Sequence, residues 1–285
     1  MEEDPGLVAA LRAAGCVFAE EEAALLADAT STQAELEEMV SQRVRGLPLE
    51  QVIGWAEFGG LRIVIDAGVF VPRRRSEFLV QVAAGFCRER DAAQACVLVD
   101  LCCGTGALGL AVAAACGGAE LHAADLDPVA VACARRNVEP AGGRVYEGDL
   151  FAALPPALRE RVNLLICNAP YVPSAEIAFL PAEARDHEPP VALDGGLDGL
   201  SVLRRAASEA SGWLAPGGML LVETSDRQAP QMASAMASAG LAARVHADEE
   251  YGATVVTGRA PGDHRRLSAL PSFIYANRSS PVEHA

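Results

Sequence analysis

The sequence predicts an α/β protein: a doubly wound, seven-stranded sheet preceded by a small helical N-terminal domain and a β-hairpin linker. Three observations predict it. Beyond residue 96, short apolar runs alternate with helical stretches, the pattern of a mostly parallel sheet covered on both faces. Residues 1–50 are helical in pattern throughout. Residues 51–75 change period to β-branched alternation interrupted by Gly59-Gly60.

Leu7, Val8 and Leu11, and then Ala23, Leu25 and Leu26, recur at helical spacing. Thr30-Ser31-Thr32 breaks that pattern, and Ser31 or Thr32 with Glu35 forms a capping box for the next helix. Residues 1–40 hold ten acids and one arginine, which is either a solvated helical face or a module for docking a partner. Residues 58–66 read as a short hairpin, ending at Val71-Pro72-Arg73-Arg74-Arg75-Ser76-Glu77. The expected strands are 97–100, 121–125, 144–146, 164–167, 219–224, 242–246 and 253–259. Helices are expected at 108–115, 128–137 and 200–213, among others. No helix separates the last two strands, so they are expected to form an antiparallel edge hairpin. Residues 76–260 thus make the large domain, and 261–285, rich in Pro, Ser and Arg, read as a mobile tail.

Composition bounds the function. With 285 residues and 51% hydrophobic content the chain can bury a full core. No apolar stretch has the length and purity of a membrane span, and the acidic start Met1-Glu2-Glu3-Asp4 lacks the build of a signal peptide, so a cytoplasmic protein away from membranes is expected. Net charge is −15, and all 23 basic residues are arginine, which argues against a broad grip on nucleic-acid phosphates. The eight cysteines show no metal-ligand spacing and read as small buried apolar residues. His122, His187 and His246 show neither triad nor metal spacing, so no metal site is expected.

Two segments carry chemistry. The strand at 97–100 runs into Cys102-Cys103-Gly104-Thr105-Gly106-Ala107-Leu108-Gly109, a tight turn that brings backbone close to a ligand. One strand later comes Asp125, a carboxylate able to accept both hydroxyls of a ribose. One strand further, Gly148-Asp149-Leu150-Phe151 offers an acceptor for an adenine amino group and an apolar wall. The Gly-x-Gly-x-x-Gly spacing of Gly104, Gly106 and Gly109 taken alone favours a dinucleotide. The second segment opposes that. Asn168-Ala169-Pro170-Tyr171 follows the apolar run 162–167, at the carboxyl end of a strand, where an open α/β sheet places its chemistry. A cofactor loop with an Asn-x-Pro-Tyr turn points to methyl transfer from S-adenosylmethionine onto a planar nitrogen. Asn168 and the backbone carbonyl of residue 169 would accept the two N–H groups, and Tyr171 would wall the pocket and turn a π face to the sulfonium.

With these residues in view the chain resembles the protein-(glutamine-N5) methyltransferases that modify peptide-chain release factors. The likeness covers roughly residues 40–260 and rests on several segments in order. These are residues 48–54 and 57–61, Val69-Phe70-Val71-Pro72-Arg73, the run from Asp100 to Gly106, Asp125, residues 148–151 and the turn at 168–171. Glu188-Pro189, Ala192-Leu193-Asp194-Gly195-Gly196 and Asp198-Gly199-Leu200 follow. The resemblance implies a seven-stranded methyltransferase fold with a helical N-terminal domain. It implies S-adenosylmethionine bound by Asp100, Cys102, Cys103, Gly104, Thr105, Gly106, Asp125, Leu126, Asp149, Leu150 and Asn168. It implies catalysis at Asn168, Ala169, Pro170 and Tyr171, and acceptor binding by Pro72, Arg73, Asn168, Pro170 and Tyr171.

The chain departs from the family pattern in three places. Ala169 stands where the family has proline. Arg74-Arg75-Ser76 replaces Pro-x-Thr, and Cys102-Cys103 replaces Gly-Thr. The expected partner is a release factor or, given these departures, a small nitrogen-bearing molecule such as an amide, guanidine or amino acid. A nucleic-acid amino-methyltransferase and a non-catalytic cofactor-binding protein are the other readings.

Overall fold

A computed structural model of the chain describes residues 5–90 and 95–262. Nearly all of the expected tail lies outside the described residues. Four helices come first: α1 (Pro5–Ala13), α2 (Ala19–Asp28), α3 (Gln33–Val44) and α4 (Leu49–Ile53). Leu7, Val8, Leu11, Ala23 and Leu26 join Val52 in a separate small core, while Leu25 turns partly outward. Thr32 caps α3, its hydroxyl accepting from the Glu35 N–H at 3.3 Å. The Glu35 carboxylate takes the Thr30 and Thr32 hydroxyls, so only half of a capping box forms. Arg43, nearly buried, pairs with Glu22 at 2.6 Å and reaches across to Glu183 at 3.3 Å, tying the helices to the rest of the chain.

The hairpin is β1 (Trp55–Phe58) and β2 (Leu61–Val64). Its turn residues Gly59 and Gly60 have φ of 57° and 74°, the left-handed pair a two-residue hairpin requires. A Cβ on Gly59 would also come within 2.9 Å of Ala111, so the turn seats closely on the large domain. Phe58, Ile63 and Ile65 share a core with the sheet, so the linker is packed down.

The remainder alternates as expected: α5 (Glu77–Glu89), β3 (Val97–Leu101), α6 (Ala107–Ala115), β4 (Glu120–Asp125), α7 (Pro128–Val138), β5 (Arg144–Glu147) and β6 (Val162–Cys167). Then follow α8 (Ala182–His187), α9 (Ser201–Ala210), β7 (Leu214–Thr224), α10 (Ala229–Ser238), β8 (Ala242–Asp248) and β9 (Ala253–Arg259). The seven strands order as β5-β4-β3-β6-β7-β9-β8. All neighbours run parallel except β9, which is antiparallel to both β7 and β8. The expected terminal hairpin is present, but only β8 is an edge; β9 inserts beside β7. That insertion departs from the all-parallel dinucleotide sheet and counts against the rival cofactor. Strand β3 is buried along its whole length, and the order reverses between β3 and β6, leaving a crevice at their carboxyl ends.

One reading of the cysteines is corrected. Cys87 on α5 and Cys116 at the end of α6 form a disulfide, with Cα atoms 5.4 Å apart. The pairing arises because α5 and α6 lie side by side, and a separation of 29 residues leaves no local signal of it.

Candidate active site

The crevice above β3 and β6 opens into one cavity lined by most of the residues singled out from the sequence. It takes in Asp100, Cys102 to Thr105, Asp125, Leu126, Asp149 and Leu150 on one side. Asn168 to Tyr171, with Pro72 and Arg73, line the other. Gly106 is not in the lining; it turns the chain into α6 with φ of 78°, where a Cβ would strike Val138 at 2.5 Å.

The cofactor loop is shaped by backbone demands. Gly104 has φ of 55°, and a Cβ there would meet nothing within 4 Å, so the loop faces open cavity. The Asp125 carboxylate pins the loop from the next strand, accepting from the Gly104 N–H at 2.8 Å and the Asp127 N–H at 2.9 Å. Burial raises its pKa above the ordinary carboxylate range. Asp100 is fully buried and accepts from the Gly109 N–H at 2.9 Å. A Cβ on Gly109 would fall 2.8 Å from that carboxylate, so this third glycine serves helix packing against β3. Burial pushes Asp100 up to about 8, making it an anchor for the loop with little polar surface to offer a ligand.

Cys102 has φ of 56°, the left-handed conformation that explains why the family pattern has glycine there. A hydrogen bond with Cys167, together with burial, raises its thiol pKa, and burial raises that of Cys103. Neither is a reactive thiolate.

At the adenine end Asp149 lines the cavity as expected in position, and one expectation, that for Phe151, is revised. Asp149 is exposed and held by Arg205 at 2.7 Å through one carboxylate oxygen, and the other makes no hydrogen bond among the described residues. Phe151 points away, stacking on Trp213 in the core with centroids 5.3 Å apart, because the chain after Leu150 coils inward as a short 3-10 turn. The apolar wall comes from Leu150 and the exposed Leu126 instead.

On the opposite side, Asn168 donates from Nδ2 to the Ser76 hydroxyl at 3.2 Å. Its Oδ1, and the N–H and carbonyl of Ala169, make no hydrogen bond among the described residues. The turn is fixed from behind. Gln228 donates to the carbonyls of Tyr171 at 2.9 Å and Asp198 at 2.8 Å. The Val172 N–H donates to Leu193, and the Gly195 N–H returns a bond to Val172. A Cβ on Gly199 would lie 2.2 Å from the Tyr171 carbonyl, which accounts for the glycine-rich segment at 195–199.

Tyr171 lines the cavity and carries neighbours on both its hydroxyl and its ring. Its hydroxyl donates to Glu223 at 2.8 Å, and Arg75 lies over its ring at 5.6 Å. Burial and the Glu223 carboxylate push the phenol pKa up, so it stays an O–H donor. Three consecutive arginines, Arg73 to Arg75, could meet an anionic substrate or water. Instead Arg73 pairs with buried Glu188 and lies over Phe70, and Arg75 pairs with buried Glu223; Arg74 alone is simply exposed. Arg73 and Glu188 thereby lock the segment before α5 to the glycine-rich loop, which is the work of the Glu188-Pro189 signature.

Ser76 and Glu223 were missed from the sequence. Ser76 carried a weak signal, as the hydroxyl of the family's Thr position. Glu223 carried a stronger one: a carboxylate near the end of an otherwise apolar strand.

A seven-stranded sheet with β9 inserted antiparallel, a pinned glycine loop and an Asn-x-Pro-Tyr turn on one cavity define an S-adenosylmethionine-dependent methyltransferase. The loop fits that cofactor: open space over Gly104, a carboxylate on the next strand and apolar walls at Leu126 and Leu150. Comparison with known proteins agrees. Residues 61–182 match the family described as "Methyltransferase small domain". A release factor glutamine methyltransferase of Deinococcus radiodurans is 38% identical over 211 residues, 73% of each chain. A 4-amino-L-phenylalanine/4-methylamino-L-phenylalanine methyltransferase of Streptomyces pristinaespiralis is 35% identical over 186 residues, 65% of this chain and 63% of that one. A methyltransferase structure from Pyrococcus furiosus superposes with a TM-score of 0.53 at 14% identity, covering 79% of this chain and 99% of the other, and shares the fold. The chain belongs to the release factor glutamine methyltransferase family.

Proposed function

We propose that this protein transfers a methyl group from S-adenosylmethionine to the side-chain amide nitrogen of a glutamine in a peptide-chain release factor. The observation that carries the reading is the turn at 168–171. Asn168 and Ala169 line the same cavity as the cofactor loop, and the Asn168 Oδ1 and the Ala169 carbonyl make no hydrogen bond among the described residues, in a chain of this family.

The cofactor, when bound, supplies an electrophilic methyl on a sulfonium; Asp125 would take its ribose, Leu126 and Leu150 its adenine, and the Gly104 backbone its close approach. A carboxamide nitrogen is a weak nucleophile because its lone pair is delocalised into the carbonyl. What the protein contributes is orientation, which is worth roughly 7–11 kcal/mol at best. Asn168 Oδ1 accepts one N–H of the acceptor, and the Ala169 carbonyl accepts the other. Ser76 fixes the amide of Asn168 so that its oxygen, and not its NH2, faces the acceptor. The hydroxyl survives the change from Thr to Ser. The alanine at 169 keeps the carbonyl and gives up only proline's fixed φ. Pro72 and Arg73 border the acceptor side, with Arg73 acting through Glu188 to hold the loop. Helices α1 to α4 lie away from the cavity lining and would recognise the body of the acceptor. A release factor works on ribosomes, so the reaction is proposed for the cytoplasm. Among the described residues no helix is long and apolar enough to cross a membrane.

A second reading is methylation of a small amino-acid nitrogen. The relative named for 4-amino-L-phenylalanine favours it, as do the departures at Ala169 and Arg74-Arg75-Ser76. Tritiated methyl transfer to a purified release factor, with mass mapping of the product, decides between them. Label on a glutamine supports the first reading; label only on small amines overturns it in favour of the second.

A further inference from the structure

Glu223 near the end of β7 is 2% exposed and lines the cavity beside Tyr171 and Asn168. Its two oxygens are unequal. Oε1 accepts from the Tyr171 hydroxyl at 2.8 Å and from Arg75 Nε at 3.1 Å. Oε2 has no partner, and among the described residues it is the only buried side-chain nitrogen or oxygen without one. A buried, unsatisfied carboxylate oxygen is costly, and its retention on the wall of a cavity points to a ligand that completes it.

We propose that Glu223 is an acceptor-binding residue, its Oε2 accepting a hydrogen bond from an N–H of the methyl acceptor. The inference rests on reading the 168–171 side of the cavity as the acceptor side. Arg75 is the neighbour an incoming acceptor would displace, since its side chain is 47% exposed and its Nε bond goes to the other oxygen. Glu223 thereby adds a third acceptor to Asn168 Oδ1 and the Ala169 carbonyl. Three acceptors on one wall select a substrate rich in N–H donors, such as a carboxamide beside a peptide N–H, and discriminate against esters and tertiary amides.

The test is Glu223→Gln. Oε1 serves two donors, so the glutamine oxygen takes that position and its NH2 faces the cavity. The variant keeps both hydrogen bonds at that oxygen, removes the carboxylate charge and reverses the polarity of the free position, and Tyr171→Phe controls for loss of the anchor. The full-length wild type, Glu223→Gln and Tyr171→Phe are assayed for tritiated methyl transfer to a release factor, to a panel of small amides and amines, and to a cell extract. S-adenosylmethionine affinity is measured by calorimetry. The expected result for Glu223→Gln is a ~10–100-fold fall in kcat/KM, mostly in the acceptor KM, the scale of losing a hydrogen bond to a charged group. Its cofactor Kd stays within twofold of wild type. Tyr171→Phe, which leaves Oε2 in place, loses less. Wild-type kcat/KM in Glu223→Gln, on whichever acceptor the wild type uses, overturns the proposal. So does a loss matched by Tyr171→Phe and carried by kcat, which marks Glu223 as a structural anchor. Wild-type transfer to another acceptor but not to a release factor overturns the proposed substrate only, and the extract rates then decide for Glu223.

Discussion

Replacing Asp125 with alanine separates two roles that the structure assigns to one carboxylate. Its oxygens already accept two backbone N–H groups, from Gly104 at 2.8 Å and Asp127 at 2.9 Å. Each oxygen retains a lone pair, so the same carboxylate can also take the vicinal ribose hydroxyls. Asp125→Ala therefore loosens the loop in the free protein and removes ligand contacts in the complex. A hydrogen bond to a charged group contributes ~1.5–3 kcal/mol, so cofactor affinity should fall ~10–150-fold for one lost contact. Losing the two backbone anchors should also lower Tm, read in a thermal melt. To isolate the ribose contact, S-adenosylhomocysteine and its 2′-deoxy analogue are titrated into wild type and variant by calorimetry. The missing hydroxyl should weaken wild-type binding about tenfold or more and cost the variant almost nothing, the non-additivity expected of partners in one contact. Equal penalties in both proteins would mean that Asp125 acts only by holding the loop. Unchanged affinity in a folded Asp125→Ala would remove it from the site.

Three further outcomes are expected. Asn168→Ala should lower turnover by ~10²-fold with little change in cofactor Kd, because its contact tightens in the transition state; Ala169→Pro should leave activity equal or higher and raise stability by ~0.4–1 kcal/mol, since the N–H it removes bonds to nothing, whereas impaired turnover in a folded Ala169→Pro would mark a different acceptor. Stability of the cofactor-free protein should fall as pH rises from about 4 towards 8, since Asp100 is pushed up to about 8 in the fold and so keeps a proton that the unfolded chain releases. The Asp100 contribution is complete below the unfolded pKa and is lost through the folded one, so Asp100→Asn should flatten the wild-type slope by up to ~1.4 kcal/mol per pH unit in denaturant titrations across that window. Deleting residues 1–45 should spare cofactor affinity and abolish transfer to a protein acceptor, because none of the described residues among them lines the cavity; a folded truncation that loses cofactor binding would contradict it.

The sheet was legible because its strands are buried nearly end to end. Runs such as Val97–Leu101 and Val162–Cys167 report burial locally, and the structure extends the expected strands by only a few residues, β7 most of all. The two halves of the site were legible where turn chemistry is local, as at Gly104 and at Asn168-Ala169-Pro170-Tyr171. What stayed hidden depends on contacts distant in sequence. Arg75 meets Glu223 across 148 residues, and Asn168 meets Ser76 across 92. No periodicity encodes those meetings; they exist because β6 and β7 are neighbours and α5 begins above them. The Cys87–Cys116 disulfide was hidden for the same reason, and Phe151 was misplaced because a short turn reverses its direction.

The departures from the family pattern are contiguous in space, which bears on the acceptor. Cys102 holds a left-handed conformation that costs a non-glycine residue roughly 1–2 kcal/mol. Its neighbour Leu101 pairs with Cys167, the residue before Asn168, so the strained position sits where the cofactor loop leaves β3 beside the strand that delivers the turn. Ala169 follows directly after Asn168. Ser76 holds the Asn168 amide, and Arg75 covers Tyr171 and Glu223. Glu188 pairs with Arg73, and Gln228 braces the turn from behind through the Tyr171 carbonyl. Two of the three departures thus lie around the atoms that would touch the acceptor, and the third puts Cys102 in place of the first glycine of the cofactor loop, while Asp125, Gly104 and Gly106 stand as the family has them. An altered fit at the acceptor nitrogen would act through the shape of the turn at Ala169 and through the Ser76 hydroxyl that holds the Asn168 amide, while Asp125 keeps its two backbone anchors on the cofactor side.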